Sequence, residues 1–159
     1  MPFLKIESAL NTCKSHLDSL DKSDPNRVEI EFYLVSGLVI LIVSEYEELI
    51  ERMFTERADR CGDKHVAQYV RTNIARKFRS PDLGKVTETL AQFGDDYKQN
   101  FSTAILNTEH HAAWDNIMRA RHAVVHKGGT FNITLGELLT TYPKTKEVLA
   151  VLKSALDMP

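Results

Sequence analysis

The sequence predicts an all-α fold, a bundle of about six to seven helices, and three observations lead to this prediction. Apolar residues recur three and four positions apart through most of the 159-residue chain, the spacing that places them on one face of a helix. No stretch alternates apolar and polar residues as a half-buried strand does. Hydrophobic residues make up 43% and charged residues 26%, which is typical of a globular protein, so residues 1–159 are expected to form a single domain.

Spacing and a helix-start signal predict the first two helices. Asp24-Pro25 is typical of a helix start, because proline is tolerated in the first turn, and the second helix is predicted to run from there to about Arg60. Residues 34–43 are apolar on all sides and rich in β-branched residues, so a buried strand is the alternative; the helical spacing on both sides favours a buried central helix. The apolar positions of the first helix are Phe3, Ile6, Leu10, Cys13, Leu17 and Leu20.

Turn and capping residues divide the rest of the chain. Asp63 is predicted to cap a third helix that ends near Phe78, and Ser80-Pro81 to start a fourth that ends at Gly94. Residues 95–107 show no clear pattern.

Two further signals divide the last third. Asn107 or Thr108 is predicted to open a long helix that ends at Gly128-Gly129. Thr134 and Glu137 have the spacing of a capping box for a short helix, and Pro143 is predicted to open the last one.

The sequence argues against a secreted protein, a membrane protein and a cysteine-based metal or disulfide framework. The first residues lack the basic segment and apolar run of a secretion signal, and the most apolar stretch, residues 32–43, is far shorter than the roughly 20 residues of a membrane span. Cys13 and Cys61 form no C-x-x-C pair, which argues against a zinc knuckle or a disulfide framework. A soluble protein of the reducing cytoplasm is expected.

Charge is distributed unevenly along the chain although its net value is only −2. Residues 1–51 carry 4 basic and 10 acidic side chains, whereas residues 52–79 carry 8 basic and 3 acidic ones. This asymmetry fits a basic patch for a polyanion, but taken alone it favours two faces of one bundle that attract each other.

The most informative segment is residues 114–129. Plotted at about 100° per residue, Arg121 falls in the middle of an apolar face, where an arginine must be paired, reach a cleft or meet another chain. That predicted apolar face consists of Trp114, Ile117, Met118, Val124 and Val125.

A polar stripe follows from the same helical plot. Asp115, Arg119, His122 and His126 are spaced four, three and four apart. Because an imidazole takes and gives protons near neutral pH, two of them one turn apart near a guanidinium can serve acid–base work on a phosphodiester. A metal site on His122 and His126 is disfavoured, since the glutamate of a zincin is missing and Asp115 is the one obvious third ligand. The pair His110-His111 is interpreted as surface or capping decoration.

This segment resembles a known motif. Arg121 and His126 fit the R-x(4–6)-H motif of HEPN domains, in which a polar residue, here His122, commonly follows the arginine. The long apolar helix with Ser44-x-Tyr46-Glu47 at its middle is similar to the RiboL-PSP subgroup of that superfamily. The resemblance covers about residues 20–156.

The resemblance implies a homodimeric, metal-independent endoribonuclease of the toxin or defence type, with two motifs at one cleft and no cofactor. Arg121 would then neutralise the scissile phosphate, His126 would act as general acid or base, and His122 would orient the phosphate while the ribose 2′-OH attacks it. RNA, a second copy of the chain and a cognate antitoxin protein are the implied partners, with no membrane. The basic residues predicted to contact RNA are Arg71, Arg76, Lys77, Arg79, Arg119 and Lys127. The first four of these equally fit the solvated side of a helix.

Two other interpretations stay open. The chain is alternatively a non-catalytic HEPN module that binds a partner or a nucleotide-like ligand, or a plain helical dimerisation domain. Because Arg121 and His126 lie about 140° apart on a straight helix, one chain does not readily aim both at one phosphate. A two-fold dimer would place the same patch opposite itself and would also explain an arginine on an apolar face.

Overall fold

The computed structural model describes residues 3–75, 77–126 and 133–157, and within these ranges the chain forms seven helices and no strand. The prediction of an all-α bundle is therefore confirmed. No helix in the described ranges combines the length and the apolar character needed to cross a membrane. The helices in chain order are α1 (Phe3–Ser19), α2 (Arg27–Asp59), α3 (Lys64–Ile74), α4 (Leu83–Phe93), α5 (Asp95–Ile105), α6 (Glu109–His126) and α7 (Leu135–Asp157).

Helix α2 is the centre of the bundle. It is 33 residues long and packs against α1, α3, α6 and α7, which confirms the central helix over the strand alternative. Its start was predicted two residues too early: Asn26, and not Asp24, is the N-cap residue. The Asp24 carboxylate instead accepts a hydrogen bond from the backbone N–H of Asn26 at 2.8 Å, which forms a turn before the helix.

The region of α3 to α5 differs in its boundaries from the prediction. Asp63 caps α3 as predicted, but that helix ends at Ile74 rather than near Phe78. Helix α4 is capped by Asp82, whose carboxylate accepts from the backbone N–H of Lys85 at 2.8 Å, so Ser80-Pro81 belongs to the α3–α4 loop. The segment without a clear pattern, residues 95–107, contains α5.

Helix α7 corrects the prediction that Pro143 opens a separate last helix. One helix runs from Leu135 to Asp157 with Pro143 inside it. The exposed proline ring removes one backbone hydrogen bond, and the buried side chains on both sides of it, among them Leu138 and Leu149, compensate for that loss. The predicted capping box is present, since Thr134 and Glu137 bond each other's backbone N–H groups at 2.8 and 3.2 Å.

Candidate active site

The first half of α6 faces the core. Trp114 is fully buried, and its ring stacks on that of Tyr46 from α2 with 5.1 Å between centroids. The indole Nε1 donates to the carbonyl oxygen of Pro81 in the α3–α4 loop at 2.8 Å. Ile117 and Met118 continue the same buried face. These contacts fix the rotation of α6 and therefore the directions in which its last turns project their side chains.

The second half of α6 reaches the surface, which corrects part of the predicted apolar face. Val124 is half-buried and Val125 is 47% exposed, so the buried face ends before Arg121. Helical spacing correctly predicts which residues share a side of α6. It does not show whether another element covers that side along the whole length of the helix.

Arg121 is paired with a carboxylate of α2. Its Nη2 atom lies 4.0 Å from Oε1 of Glu47, and both side chains are about a quarter exposed. The same oxygen of Glu47 accepts the backbone N–H of Ser80 at 2.6 Å. A pair this long and partly solvated contributes about 0–1 kcal/mol to stability and leaves the carboxylate opposite the guanidinium.

His122 and His126 are brought together as the i, i+4 spacing predicts. Both are exposed, and their ring centroids lie 4.7 Å apart with an interplanar angle of 45°. The site is therefore a pair of accessible imidazoles at the end of α6, with Arg121 on the adjoining side held opposite Glu47. The contacts join the two imidazoles to each other and Arg121 to Glu47, so the end of α6 carries groups that transfer protons on one side and a cation for a phosphate on another.

The rest of the predicted polar stripe makes local contacts. The carboxylate of Asp115 lies 3.4 Å from Nε2 of His111, and Arg119 donates to the side-chain oxygen of Asn116 at 2.6 Å. His111 also accepts the backbone N–H of Asn107 at 3.3 Å, which fits the capping role predicted for it. Among the described residues, no group of three His, Cys, Asp or Glu side chains has the arrangement of a metal site.

A family model for RiboL-PSP-HEPN matches residues 3–158. The chain belongs to the RiboL-PSP-HEPN family. The resemblance stated from Arg121, His122 and His126 is thus confirmed at the level of the family and its subgroup. No curated protein and no solved structure matches the chain.

The basic residues predicted to contact RNA lie in several places on this HEPN chain. Arg79 is exposed in the α3–α4 loop, next to Ser80, whose N–H is bonded to Glu47. Lys77 contacts the amide oxygen of Gln92 at 3.3 Å. Arg71 is paired with Asp59 on α2, farther along α3.

Three more residues were predicted to contact RNA. Arg119 lies on α6, about one turn before His122 and two turns before His126, and Arg76 and Lys127 lie outside the described residues.

Glu47 is the site residue that the sequence did not assign. It lies far from Arg121 along the chain, and no local pattern connects the two residues. Its place beside Tyr46, inside the segment that carried the family resemblance, is the signal that could have drawn attention to it.

Proposed function

We propose that this HEPN chain is a metal-independent endoribonuclease of the toxin or defence type that acts on RNA in the cytoplasm as a homodimer. The observation that supports the proposal is the pair of exposed, adjacent imidazoles of His122 and His126, with Arg121 held on the adjoining side of the same helix end. A cognate antitoxin protein that covers this end of α6 would keep the activity in check.

The proposed reaction is a transesterification within the RNA strand. The ribose 2′ oxygen attacks the adjacent phosphorus, the bond from phosphorus to the 5′ oxygen breaks, and a 2′,3′-cyclic phosphate forms. A general base takes the proton of the 2′-OH, and a general acid gives a proton to the departing 5′ oxygen. His126 makes one of these two transfers as general acid or base, and His122 orients the phosphate. Arg121 stabilises the negative charge that develops on the phosphate oxygens. DNA is not a substrate because it lacks the attacking hydroxyl.

Glu47 supports this role of Arg121 through its position. With 4.0 Å between Nη2 and the carboxylate, the guanidinium is oriented without a close bidentate pair, so its donors remain available to a phosphate. Because the same carboxylate holds Ser80, Glu47 also connects the α3–α4 loop to the site.

A second copy of the chain has a suitable surface on α2. Tyr33, Gly37, Ile40, Ser44 and Glu47 are spaced four, three, four and three apart and therefore follow one side of that helix. Tyr33 is 63% and Ile40 is 43% exposed, and a side chain added at Gly37 would have none of the described residues within 4 Å. This α2 stripe ends at Glu47, so a copy bound to it would face Arg121, and a two-fold axis would bring two sites together.

The test is cleavage of mixed RNAs by the purified protein in excess chelator. The parent is expected to release fragments with 2′,3′-cyclic phosphate ends, and Arg121→Ala and His126→Ala to lose about 10²-fold or more of the rate. His16→Ala, which removes an exposed histidine of α1, is the matched control and should cleave like the parent. Circular dichroism and sedimentation check that every variant keeps the fold and the oligomeric state.

The dimer is tested separately. Ile40→Glu places a charge on the α2 stripe and is expected to give monomers without activity, while Leu4→Glu, at an exposed apolar residue of α1, should change neither property. Fully active Ile40→Glu monomers would place the whole site within one chain. A folded dimer that cleaves no RNA would contradict the ribonuclease and favour the non-catalytic binding module.

A further inference from the structure

A groove runs between the end of α2, helix α3 and helix α4. Its volume is about 760 Å³, enough to hold a nucleobase and part of its backbone. We call it the α3 groove; the side chains that define it are Arg57, Val66, Tyr69, Asn73, Lys77 and Gln92. None of these six belongs to the Arg121 site.

An aromatic ring on the wall of the α3 groove lacks an internal packing role. Tyr69 is 71% exposed, and Val66, three residues earlier on the same helix, is also exposed. Large apolar side chains that are both exposed and grouped along a concave surface commonly mark a binding site. A tyrosine ring accepts any nucleobase on its face, because every base has a π-face to stack.

The charge of the α3 groove favours a polyanion. Arg57 and Lys77 line it, and no Asp or Glu is among its described lining residues. The Arg57 guanidinium donates to the Tyr97 hydroxyl and lies over its ring. Lys77 bonds to the neutral amide oxygen of Gln92 at 3.3 Å, a long contact that a phosphate can replace, so Lys77 is the cation better placed to contact a phosphate. The amide side chains of Asn73 and Gln92 add donors and acceptors of the kind that read base edges.

The α3 groove and the Arg121 site are joined by one short piece of backbone. Lys77 is three residues before Ser80, a span of at most about 11 Å. Ser80 is bonded to Glu47, and Glu47 faces Arg121. Lys77 therefore lies close along the chain to the residue that is bonded beside Arg121, which keeps the α3 groove within reach of a strand whose phosphate is held there.

We propose that the α3 groove binds single-stranded RNA beside the cleavage site, with a base stacked on Tyr69 and a phosphate on Lys77. This inference rests on the proposed ribonuclease function and adds the surface that selects the strand. A stacked base explains why a large ring is exposed here. Because no carboxylate is among the lining residues that the structure describes, a nucleic acid fits the groove better than a basic protein segment.

The test measures binding without cleavage. A fluorescein-labelled, single-stranded 2′-O-methyl oligoribonucleotide cannot be cut by 2′-OH attack, and fluorescence anisotropy reports its affinity. Tyr69→Ala is expected to weaken binding at least about fivefold, whereas Tyr69→Phe keeps the stacking ring and the affinity of the parent. Leu4→Ala, which removes an exposed apolar side chain from α1, is the matched control.

Salt dependence gives the second measurement. Lys77→Ala should lower the slope of log K against log salt by about 0.7, the value for one phosphate contact of a single strand, and Lys14→Ala on α1 should leave it unchanged. Unchanged affinity in Tyr69→Ala would overturn the proposal and leave the groove to a protein partner. A parent that binds this probe through Tyr69 but cuts no unmodified RNA would refute the ribonuclease and still support the groove.

Discussion

The two halves of α6 serve different purposes although they form one uninterrupted helix. The first half carries Trp114, which is fully buried, stacked on Tyr46 and bonded to Pro81. The second half carries His122 and His126, which are exposed and contact each other. The comparison teaches that the core half sets the rotation of the helix, so the surface half can present reactive groups without itself contributing much to stability.

The largest loss of stability is expected when the indole of Trp114 is removed from the first half of α6. Trp114→Ala is expected to lower the free energy of unfolding by about 3–5 kcal/mol, because it empties the space between α2 and α6 and leaves the Pro81 carbonyl without its donor. Urea unfolding measures the loss. Trp114→Phe keeps a stacked ring and should lose less. A loss below about 1 kcal/mol for the alanine variant would show that the first half of α6 does not anchor the helix.

A smaller effect on stability is expected from removing the hydroxyl of Tyr46, the residue whose ring stacks on Trp114. Thr145 donates to the carbonyl oxygen of Tyr142 at 2.7 Å, so its hydroxyl oxygen accepts from Tyr46 at 2.6 Å. Burial raises the pKa of the Tyr46 phenol, which therefore stays protonated and able to donate. Tyr46→Phe keeps the stacking and loses this bond, so thermal unfolding should show a loss of about 1 kcal/mol. Equal losses for Tyr46→Phe and Tyr46→Ala would contradict the stacking role of the ring.

A substitution at Glu47 tests whether cleavage and stability depend on different residues. Glu47→Gln retains an oxygen that can accept from Ser80 but removes the charge opposite Arg121. The expected loss of stability is about 0.5 kcal/mol, since both side chains are partly exposed, whereas RNA cleavage should fall because Arg121 is less well oriented. Unfolding and cleavage are measured on the same preparation. Unchanged cleavage would show that Glu47 has no role in RNA cleavage.

The smallest effect on stability is expected at the exposed end. His122→Ala and His126→Ala should change the free energy of unfolding by no more than about 0.5 kcal/mol, because neither side chain is buried. Urea unfolding at low protein concentration keeps association from contributing. A loss as large as that of Tyr46→Phe would mean that the second half of α6 also supports the fold.

The sequence predicted most of the helices because their signals are local. The spacing of apolar residues in α1 and α2 and the caps at Asp63 and Thr134 depend on neighbours within a few residues. The prediction at Pro143 was wrong because burial along α7, which no local pattern reports, compensates for the missing backbone bond.

The candidate site was predictable to a similar extent. The i, i+4 spacing correctly placed His122 beside His126. Of the three alternatives for Arg121, a paired side chain, a cleft or another chain, the structure shows a pair with Glu47, although the apolar face assumed around Arg121 reaches the surface. The identity of the partner, Glu47, and the exposure of Val125 depend on how α2 and α6 pack together. The spacing of residues within one helix carries no information about that packing. The roles of these residues in RNA cleavage remain a prediction.

The α3–α4 loop has a consequence for how mutations combine. Ser80 bonds to Glu47 and the next residue, Pro81, bonds to Trp114, so two consecutive residues attach the loop to a surface carboxylate and to the core indole. Ser80 adopts a positive φ of 51°, an uncommon conformation for serine that these two attachments maintain. Substitutions at Trp114 and Glu47 should therefore be non-additive in a double-mutant cycle, although the two side chains lie on different helices. Sequence drift at one of these positions would limit what the other can tolerate.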